Sequence, residues 1–381
     1  MSKTICLDVS VLADENKTGI GIYTYELIKA ILKINKKDKF ILFGITTYKN
    51  YKLLKNIEFK DNPNVILKIY RLPLIFFRRF FLLWQKINWP KVEKLVGRVD
   101  ICHSFNWYLL PQKTGKSLAT VFDMTPVLFP GLHQKKTLQM DKVRLNRIKK
   151  YADLVITISK NSKKDFLKFA PGKKTAVIYP GISEVFLNPI EKEKMKIILK
   201  KYHLNLPYIL SVGTIEPRKN LERLIKAFAS LATQGQTLCG YELLMVGARG
   251  WMSDGIFALP KKLGIEDRVK FLGRVEEEDL PYLYNNSFCF LYPSLYEGFG
   301  IPILESQASS CPVITSSVSS LPEVGGKSVL YVNPNSVEDI VRGIKEVEKF
   351  RKQLIEEGHK NLKRFSWKAS AKKLNLLYQR L

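Results

Sequence analysis

The chain has 381 residues, enough for two domains of ordinary size, and its 46% hydrophobic content supports substantial cores. Sixty-two Lys and Arg stand against 35 Asp and Glu, a net charge of +27, which leaves three readings open: a nucleic acid, an anionic membrane surface, or solvated basic faces. The five cysteines (Cys6, Cys102, Cys239, Cys289 and Cys311) are odd in number, far apart and without a Cys-x-x-Cys pair, which argues against a disulfide framework or structural zinc site and predicts reduced thiols in a cytosolic compartment.

Met1 to Ala13 lacks the apolar core and cleavage site of a signal peptide, and no run of about 18 uncharged apolar residues occurs, so no spanning helix is expected. Thr4 to Leu12 reads as a first strand, and Thr18-Gly19-Ile20-Gly21-Ile22-Tyr23 opens a helix to about Ile34. A strand, a glycine turn and a helix can cradle a phosphate or a sugar, although a tight packing turn has the same spelling. Phe40 to Ile45 and Val65 to Tyr70 are further strands. The segment between Pro73 and Pro90 then gathers Phe76, Phe77, Phe80, Phe81, Trp84 and Trp89 with Arg78, Arg79 and Lys86, and no acid occurs from Val65 to Val92. Arg79 and Lys86 are seven apart and share a helical face. Aromatics with cations and no acids suit a helix in a membrane interface, so Arg78, Arg79, Trp84 and Lys86 are candidate membrane contacts. The alternative is an amphipathic helix buried in the first domain with a solvated basic edge.

Val99 to Ser104 is a short strand carrying His103, and Asn106 to Pro111 a loop. Leu118 to Phe122 is a strand ending at Asp123, the place where open α/β sheets bind ligands. Gln134 to Tyr151 is a basic helix, Leu154 to Ser159 a strand, Asn161 to Lys168 a helix, and Val177 to Gly181 a strand ending in a Pro-Gly turn. A charged run from Glu191 to Lys201 follows, and a domain boundary is expected near Asn188.

The second half restarts the pattern. Tyr208 to Val212 is a strand, Gly213-Thr-Ile-Glu-Pro-Arg218-Lys219-Asn220 a turn, and Leu221 to Leu231 a helix whose Leu221, Leu224, Ile225 and Phe228 form a buried face. Adjacent Arg218 and Lys219 at a helix entrance can neutralise a diphosphate; two solvated charges are the plainer reading. Tyr241 to Val246 and Val269 to Val275 are strands, and Glu278 to Asn285 a helix. Phe288 to Tyr292 is a buried strand that runs into Pro293-Ser-Leu-Tyr-Glu297-Gly298-Phe299-Gly300-Ile-Pro302-Ile-Leu304-Glu305. Its glycines let backbone approach a ligand, Pro302 fits the start of a helix, and Glu297 and Glu305 flank an anion-friendly turn. Pro312 to Ser316 is a strand, Val337 to Glu356 a charged helix, and Phe365-Ser366-Trp367 starts the last helix. Strands alternating with helices throughout predict two doubly wound parallel-sheet α/β domains.

The stretch from Pro293 to Glu305, with Glu-Pro-Arg218-Lys219-Asn220 before it, resembles the signature of retaining glycosyltransferases of family 4, which have the GT-B fold. The resemblance runs from Gly19 to the final helix and is strongest from Gly213 to Gly326. It implies two Rossmann-like domains facing a cleft, an acceptor-side domain at 1–188 and a nucleotide-sugar domain at 189–365, with a helix at 366–381 crossing back to the first. It implies that Glu297 binds donor-sugar hydroxyls, Glu305 binds ribose, and Arg218 and Lys219 hold the departing diphosphate. Gly298, Phe299, Gly300 and Leu304 would complete the donor turn, Val275 would seat the nucleobase by its backbone, and Gly19 and Gly21 would approach the donor from the first domain. Asp123 would stand at the catalytic side and His103 at the acceptor side, although His103 read alone fits a hydrogen-bonded loop residue equally. Phe122 stands where many relatives carry a histidine that contacts the donor sugar, and a phenyl ring cannot do that polar work.

No Asp-x-Asp occurs anywhere, so fixed cations and a helix N-terminus are expected in place of a metal, with no cofactor. The resemblance is closest to bacterial enzymes of surface polysaccharide and O-antigen synthesis, often mannosyltransferases. It implies a nucleotide-sugar donor, with GDP-mannose favoured and UDP- and dTDP-sugars left open because backbone contacts to a base leave little sequence trace, a glycan or polyprenyl-linked acceptor, and a peripheral place on the cytoplasmic face of an anionic inner membrane. Two rivals are a nucleotide-sugar 2-epimerase of the same architecture, whose signature residues are not evident, and a nucleic-acid-binding protein, for which no recognisable module is present.

Overall fold

A computed structural model of the chain describes residues 2–14, 18–73, 83–84, 86–105, 108–132, 135–232 and 238–381. Arg78, Arg79 and the aromatic residues from Phe76 to Phe81 lie outside the described residues, as does Asn106. The chain divides into two units, Met1–Gly181 with Ser366–Leu381, and Ile182–Phe365. The division falls at Gly181 rather than at Asn188 because the segment after it packs with the second unit, where buried Phe186 meets the Tyr284 ring edge-on.

In the first unit, short apolar runs bounded by turns form parallel strands β1 (Thr4–Asp8), β2 (Lys39–Thr47), β3 (Val65–Leu72), β4 (Ile101–Ser104), β5 (Lys116–Val121), β6 (Leu154–Thr157) and β7 (Thr175–Val177). Their order is β3-β2-β1-β4-β5-β6-β7. The second unit repeats the plan with β8 (Tyr208–Val212), β9 (Glu242–Val246), β10 (Val269–Gly273), β11 (Phe290–Tyr292), β12 (Val313–Ser316) and β13 (Leu330–Val332), ordered β10-β9-β8-β11-β12-β13 and likewise parallel. The strand order reverses between β1 and β4 in one sheet and between β8 and β11 in the other. Ligands of such sheets bind beyond the C-terminal strand ends at that reversal.

Helices cover the sheets because an all-parallel sheet must bury both faces. In the first unit α1 (Gly19–Ile34) buries Tyr23, Leu27, Ile28, Ile31 and Leu32, and α2 (Lys135–Tyr151) buries Leu145 and Ile148. In the second, α3 (Leu221–Leu231) buries Leu221, Leu224, Ile225 and Phe228, the face its spacing predicts. Next come α4 (Ile301–Ala308) and α5 (Val337–Leu362). The last of these runs past Glu356 because Asn361 is buried and donates to Gln307 Oε1 (2.9 Å) and the Val324 carbonyl (2.8 Å). The five cysteines are free thiols, all buried except Cys239.

The final helix, α6 (Trp367–Arg380), packs on α1 and closes the first unit. Trp367 lies against Gly181 and edge-on to Tyr23, Ser370 Oγ donates to the Tyr179 carbonyl (2.5 Å), and Asn375 accepts from Asn35 (2.6 Å). Here His103 departs from the acceptor-side role the resemblance implied. It is fully buried within β4, stacked on Phe105, with Nδ1 bonded to the Tyr378 hydroxyl of α6 (2.7 Å) and Nε2 to Thr120 Oγ1 (2.8 Å). Burial pushes its pKa down to about 3, so it is a neutral core residue with both ring nitrogens engaged. Phe122 is also core, edge-on to Tyr23 at 5.3 Å between centroids. Trp84, expected as a membrane contact, is likewise a core residue: it is buried beside Phe43, and its Nε1 donates to the Pro90 carbonyl (2.6 Å).

Tyr378→Phe leaves one buried His103 nitrogen without its partner. It is expected to destabilise the first unit by about 1–3 kcal/mol, read as a lower denaturant midpoint with an unchanged circular dichroism spectrum at zero denaturant.

Candidate functional site

The chemistry-bearing residues of the second unit collect beyond β8 and β11, on the two sides of its reversal. After β8 the backbone turns through Gly213 into a single 3-10 turn, Pro217–Lys219, and Asn220 in the left-handed region (φ 60°) joins it to α3. After β11 it runs through Pro293 to Gly300, which caps α4 at φ 104°. A side chain at Gly300 would strain that conformation and would meet Leu321 at 2.9 Å. Pro302 is the second residue of α4, where its missing N–H costs nothing.

These two turns are tied together. Leu295 N donates to the Arg218 carbonyl (2.9 Å), and Asn220 Nδ2 donates to the carbonyls of Pro293 (3.0 Å) and Pro334 (2.6 Å). A third loop, after β12, braces the glycine turn: Ser319 Oγ accepts from Glu297 N (2.9 Å), and Ser320 Oγ donates to the carbonyls of Glu297 (2.9 Å) and Phe299 (2.8 Å). The side chains in between therefore stand on backbone that is already satisfied.

At the junction Glu297 is buried and holds both predicted cations. Arg218 Nη1 lies 2.7 Å from Glu297 Oε2, and Lys219 Nζ lies 2.6 Å from Glu297 Oε1. Arg218 also donates to the Tyr296 carbonyl (2.9 Å) and through Nη2 to Glu216 Oε1 (2.5 Å). Lys219 Nζ donates to the Tyr292 hydroxyl (2.7 Å) and sits over that ring. Burial alone would raise the Glu297 pKa, but Arg218 and then Lys219 hold it down at about 2, so the carboxylate is ionised throughout the neutral range. Burial pushes the Lys219 ammonium below its ordinary value, and Glu297 opposes that push. Removing one partner of such a buried group costs about 3–5 kcal/mol, because it strands a charge.

Glu305 occupies a different environment. It stands in α4 and accepts from the Tyr284 hydroxyl (3.0 Å), with no cation bonded to it among the described contacts. Burial raises its pKa to about 7; Tyr284 lowers it and the Glu277 charge raises it further. The two glutamates of the motif are thus one ionised carboxylate among cations and one carboxyl poised near neutrality.

The other sequence candidates are placed as follows. Gly298, Phe299 and Gly300 form the buried turn, with Phe299 edge-on to Phe365, and the Leu304 side chain is core, so these residues can serve a ligand only through their backbone. Val275 follows β10 and is half-buried, beside a strand end where Gly247 N donates to the Gly273 carbonyl (2.7 Å). In the first unit Gly19 is exposed at the first position of α1 and Gly21 is buried in its first turn. Asp123 follows β5 and accepts from Thr125 N (3.0 Å) and Oγ1 (2.7 Å), which orders the turn beyond the strand. Lys86 is exposed. The sequence reading missed Glu216 and Tyr292; an acid two places before the arginine at a strand end is the signal that would have found the first.

Compared with known proteins, residues 193–363 match the family model described as glycosyl transferases group 1. The chain is 31% identical over 361 residues to O-antigen chain mannosyltransferase B of Escherichia coli, covering 92% of this chain and 93% of that protein. It is 30% identical over 234 residues to O-antigen chain mannosyltransferase RfbU of Salmonella typhimurium, 60% of each chain. Its fold is similar to that of sucrose-phosphate synthase from Thermosynechococcus elongatus, with a TM-score of 0.75 at 22% identity over 99% of this chain and 98% of that one.

The two glutamates give opposite pH signatures. The native Glu305 carboxyl keeps a proton that the unfolded chain releases between its ordinary 4.5 and about 7, so its contribution to stability is full below that window and is lost as pH rises through it. Glu297 contributes stability above 4.5 that is lost as pH falls toward 2. Glu305→Gln is expected to flatten the fall in melting temperature across the upper window, what remains there being the fall due to buried Asp8, whose pKa burial also raises to about 7, set against the opposite slope of His103, which stays neutral in the fold while the unfolded imidazole protonates below 6.5. An unchanged slope in the variant contradicts the assignment.

Proposed function

The chain belongs to the glycosyl transferases group 1 family, the family 4 of the sequence resemblance, and on that premise we propose that it transfers a mannosyl residue from GDP-mannose, with retention of configuration and without a metal ion, in surface polysaccharide synthesis. As a member it is a hexosyltransferase. The transferred sugar and the pathway are supported by its relatives, two of which are O-antigen chain mannosyltransferases.

The observation that carries the reading is one buried carboxylate shared by two cations at the strand-order reversal. Arg218 and Lys219 bind the donor diphosphate, and Glu297 exchanges part of its bonding with them for the hydroxyls of the sugar. The glycine turn offers backbone N–H groups at the start of α4, whose dipole favours the same anion. Glu305 accepts from the ribose hydroxyls. Val275 contributes a backbone contact to the donor, and within the first unit Asp123 orders the turn beyond β5. In the transfer step the bond from the sugar C1 to the diphosphate oxygen breaks, the acceptor hydroxyl oxygen bonds to C1 on the same face, and its proton passes to the departing phosphate oxygen. The charge that develops on that phosphate is met by Arg218 and Lys219, preorganised before the reaction.

The acceptor is a glycan or a polyprenyl-linked oligosaccharide at an anionic membrane surface. Among the described residues no helix is long and apolar enough to cross a membrane. The described edge of the basic-aromatic segment supports surface contact: Leu83 and Ile87, four apart on helical backbone, and Trp89 are each more than half exposed, with Lys86 beside them and Lys94 over the Trp89 ring.

Purified Glu297→Ala and Arg218→Ala are each expected to transfer at least about 100-fold more slowly than the parent, with EDTA leaving the parent rate unchanged. Near-normal rates in both variants refute the roles, and loss of activity in EDTA restored by magnesium or manganese refutes the metal-free reading. A thermal-shift series with GDP, UDP, dTDP and ADP should show its largest rise with GDP. In liposome flotation, binding should need anionic lipid and weaken on combined neutralisation of Arg78, Arg79 and Lys86; binding indifferent to both removes the membrane contact.

A further inference from the structure

Glu216 is the most deeply buried of the four charged groups at this site. Its side chain is 1% exposed, against 19% for Arg218, 11% for Lys219 and 8% for Glu297. It lies in extended backbone ahead of Pro217, and its Oε1 takes Arg218 Nη2 at 2.5 Å. The loop after β9 roofs it. Gly250 N donates to the Ile215 carbonyl (3.0 Å), and a side chain at Gly250 would meet that carbonyl at 2.8 Å and the Glu216 Cβ at 3.2 Å. Arg218 is therefore held on both sides, by Glu216 through Nη2 and by Glu297 through Nη1.

A glutamine in this place could accept the same hydrogen bond without the cost of burying a charge. The charge itself must then have a use. Two cations and two carboxylates form this network, and a sugar nucleotide takes Glu297 for its hydroxyls. Glu216 touches none of the reacting atoms in that arrangement and stays as the fixed countercharge. A nucleotide sugar carries about two negative charges on its diphosphate, and a free nucleoside diphosphate about three at mildly alkaline pH, because its terminal phosphate ionises a second time. One positive charge more in the site would favour the second ligand over the first.

We propose that Glu216 is a positioning and specificity-determining residue: it aims the Arg218 guanidinium at the diphosphate and removes one unit of positive charge, so that the site prefers the nucleotide sugar to the nucleoside diphosphate left after transfer. The proposal rests on the donor-site reading above. Its role is release of the spent nucleotide, which a residue serving only the fold would not affect.

The test compares Glu216→Gln, which keeps the hydrogen bond and drops the charge, with Glu216→Asp, which keeps the charge. For each, kcat and the KM of the nucleotide sugar are measured with the competitive inhibition constant of GDP, and GDP binding is measured separately by calorimetry. In Glu216→Gln the GDP inhibition constant should fall on the order of tenfold relative to the donor KM, with a lower kcat from slow release. In Glu216→Asp that ratio should stay within about twofold of the parent. Equal weakening or tightening of both ligands in the Gln variant overturns the proposal. So does a shifted ratio in the Asp variant, which decides the matter alone if the Gln variant does not fold. A parent protein that binds neither GDP nor UDP overturns the donor site itself, a result distinct from an unchanged ratio.

Discussion

Two cations cannot be placed 2.6–2.7 Å from one buried carboxylate unless the backbone on both sides is fixed first. That constraint organises the second unit. The turn after β8 must present Arg218 and Lys219 in succession, and the loop after β11 must deliver Glu297 between them. The left-handed Asn220 and its two carbonyl partners, the serines at 319 and 320, and the capping Gly300 all serve that convergence. A polar cluster of this kind contributes little net stability, since desolvation offsets most of its attraction. Its value is geometric, because charges that do not move cost no reorganisation when a ligand's charge changes.

The same sheet plan serves opposite ends in the two units. Beyond the strands of the second it gathers backbone turns and a largely buried cluster of charges. In the first, the equivalent sheet spends a histidine, a tyrosine and a threonine on its own interior: His103, Tyr378 and Thr120 form a closed chain of hydrogen bonds with no surface access for the imidazole. Phe122 belongs to that interior too. An apolar ring here packs on Tyr23 and Trp367 becomes its neighbour through that tyrosine, so this turn is built for packing where a histidine would have offered a polar edge.

Much of the architecture could be read from the chain because strands such as Tyr208–Val212 are apolar runs closed by a proline on one side and a glycine on the other. The helix at Leu221–Leu231 was equally plain, since its buried positions recur at helical spacing. What escaped were elements too short for periodicity to register, such as β13 with three residues. At the site, Arg218, Lys219 and Glu297 were legible as a sequence pattern, and their direct contact was not, because it joins positions 79 and 78 residues apart. His103 and Trp84 misled for a related reason. A polar or amphipathic side chain names its chemistry locally, but whether it is spent on the interior depends on partners elsewhere; Tyr378 lies 275 residues from His103.

The placement of α6 has a consequence for how the protein is made. The first unit takes its last helix from the segment after residue 365, so its hydrophobic interior stays open while the whole of the second unit is being synthesised. On the ribosome, where domains ordinarily mature from the N-terminus onward, this chain must finish its first half last. The later half therefore folds beside an unsealed neighbour, and nascent chains stopped short of α6 should be the species that chaperones and proteases meet.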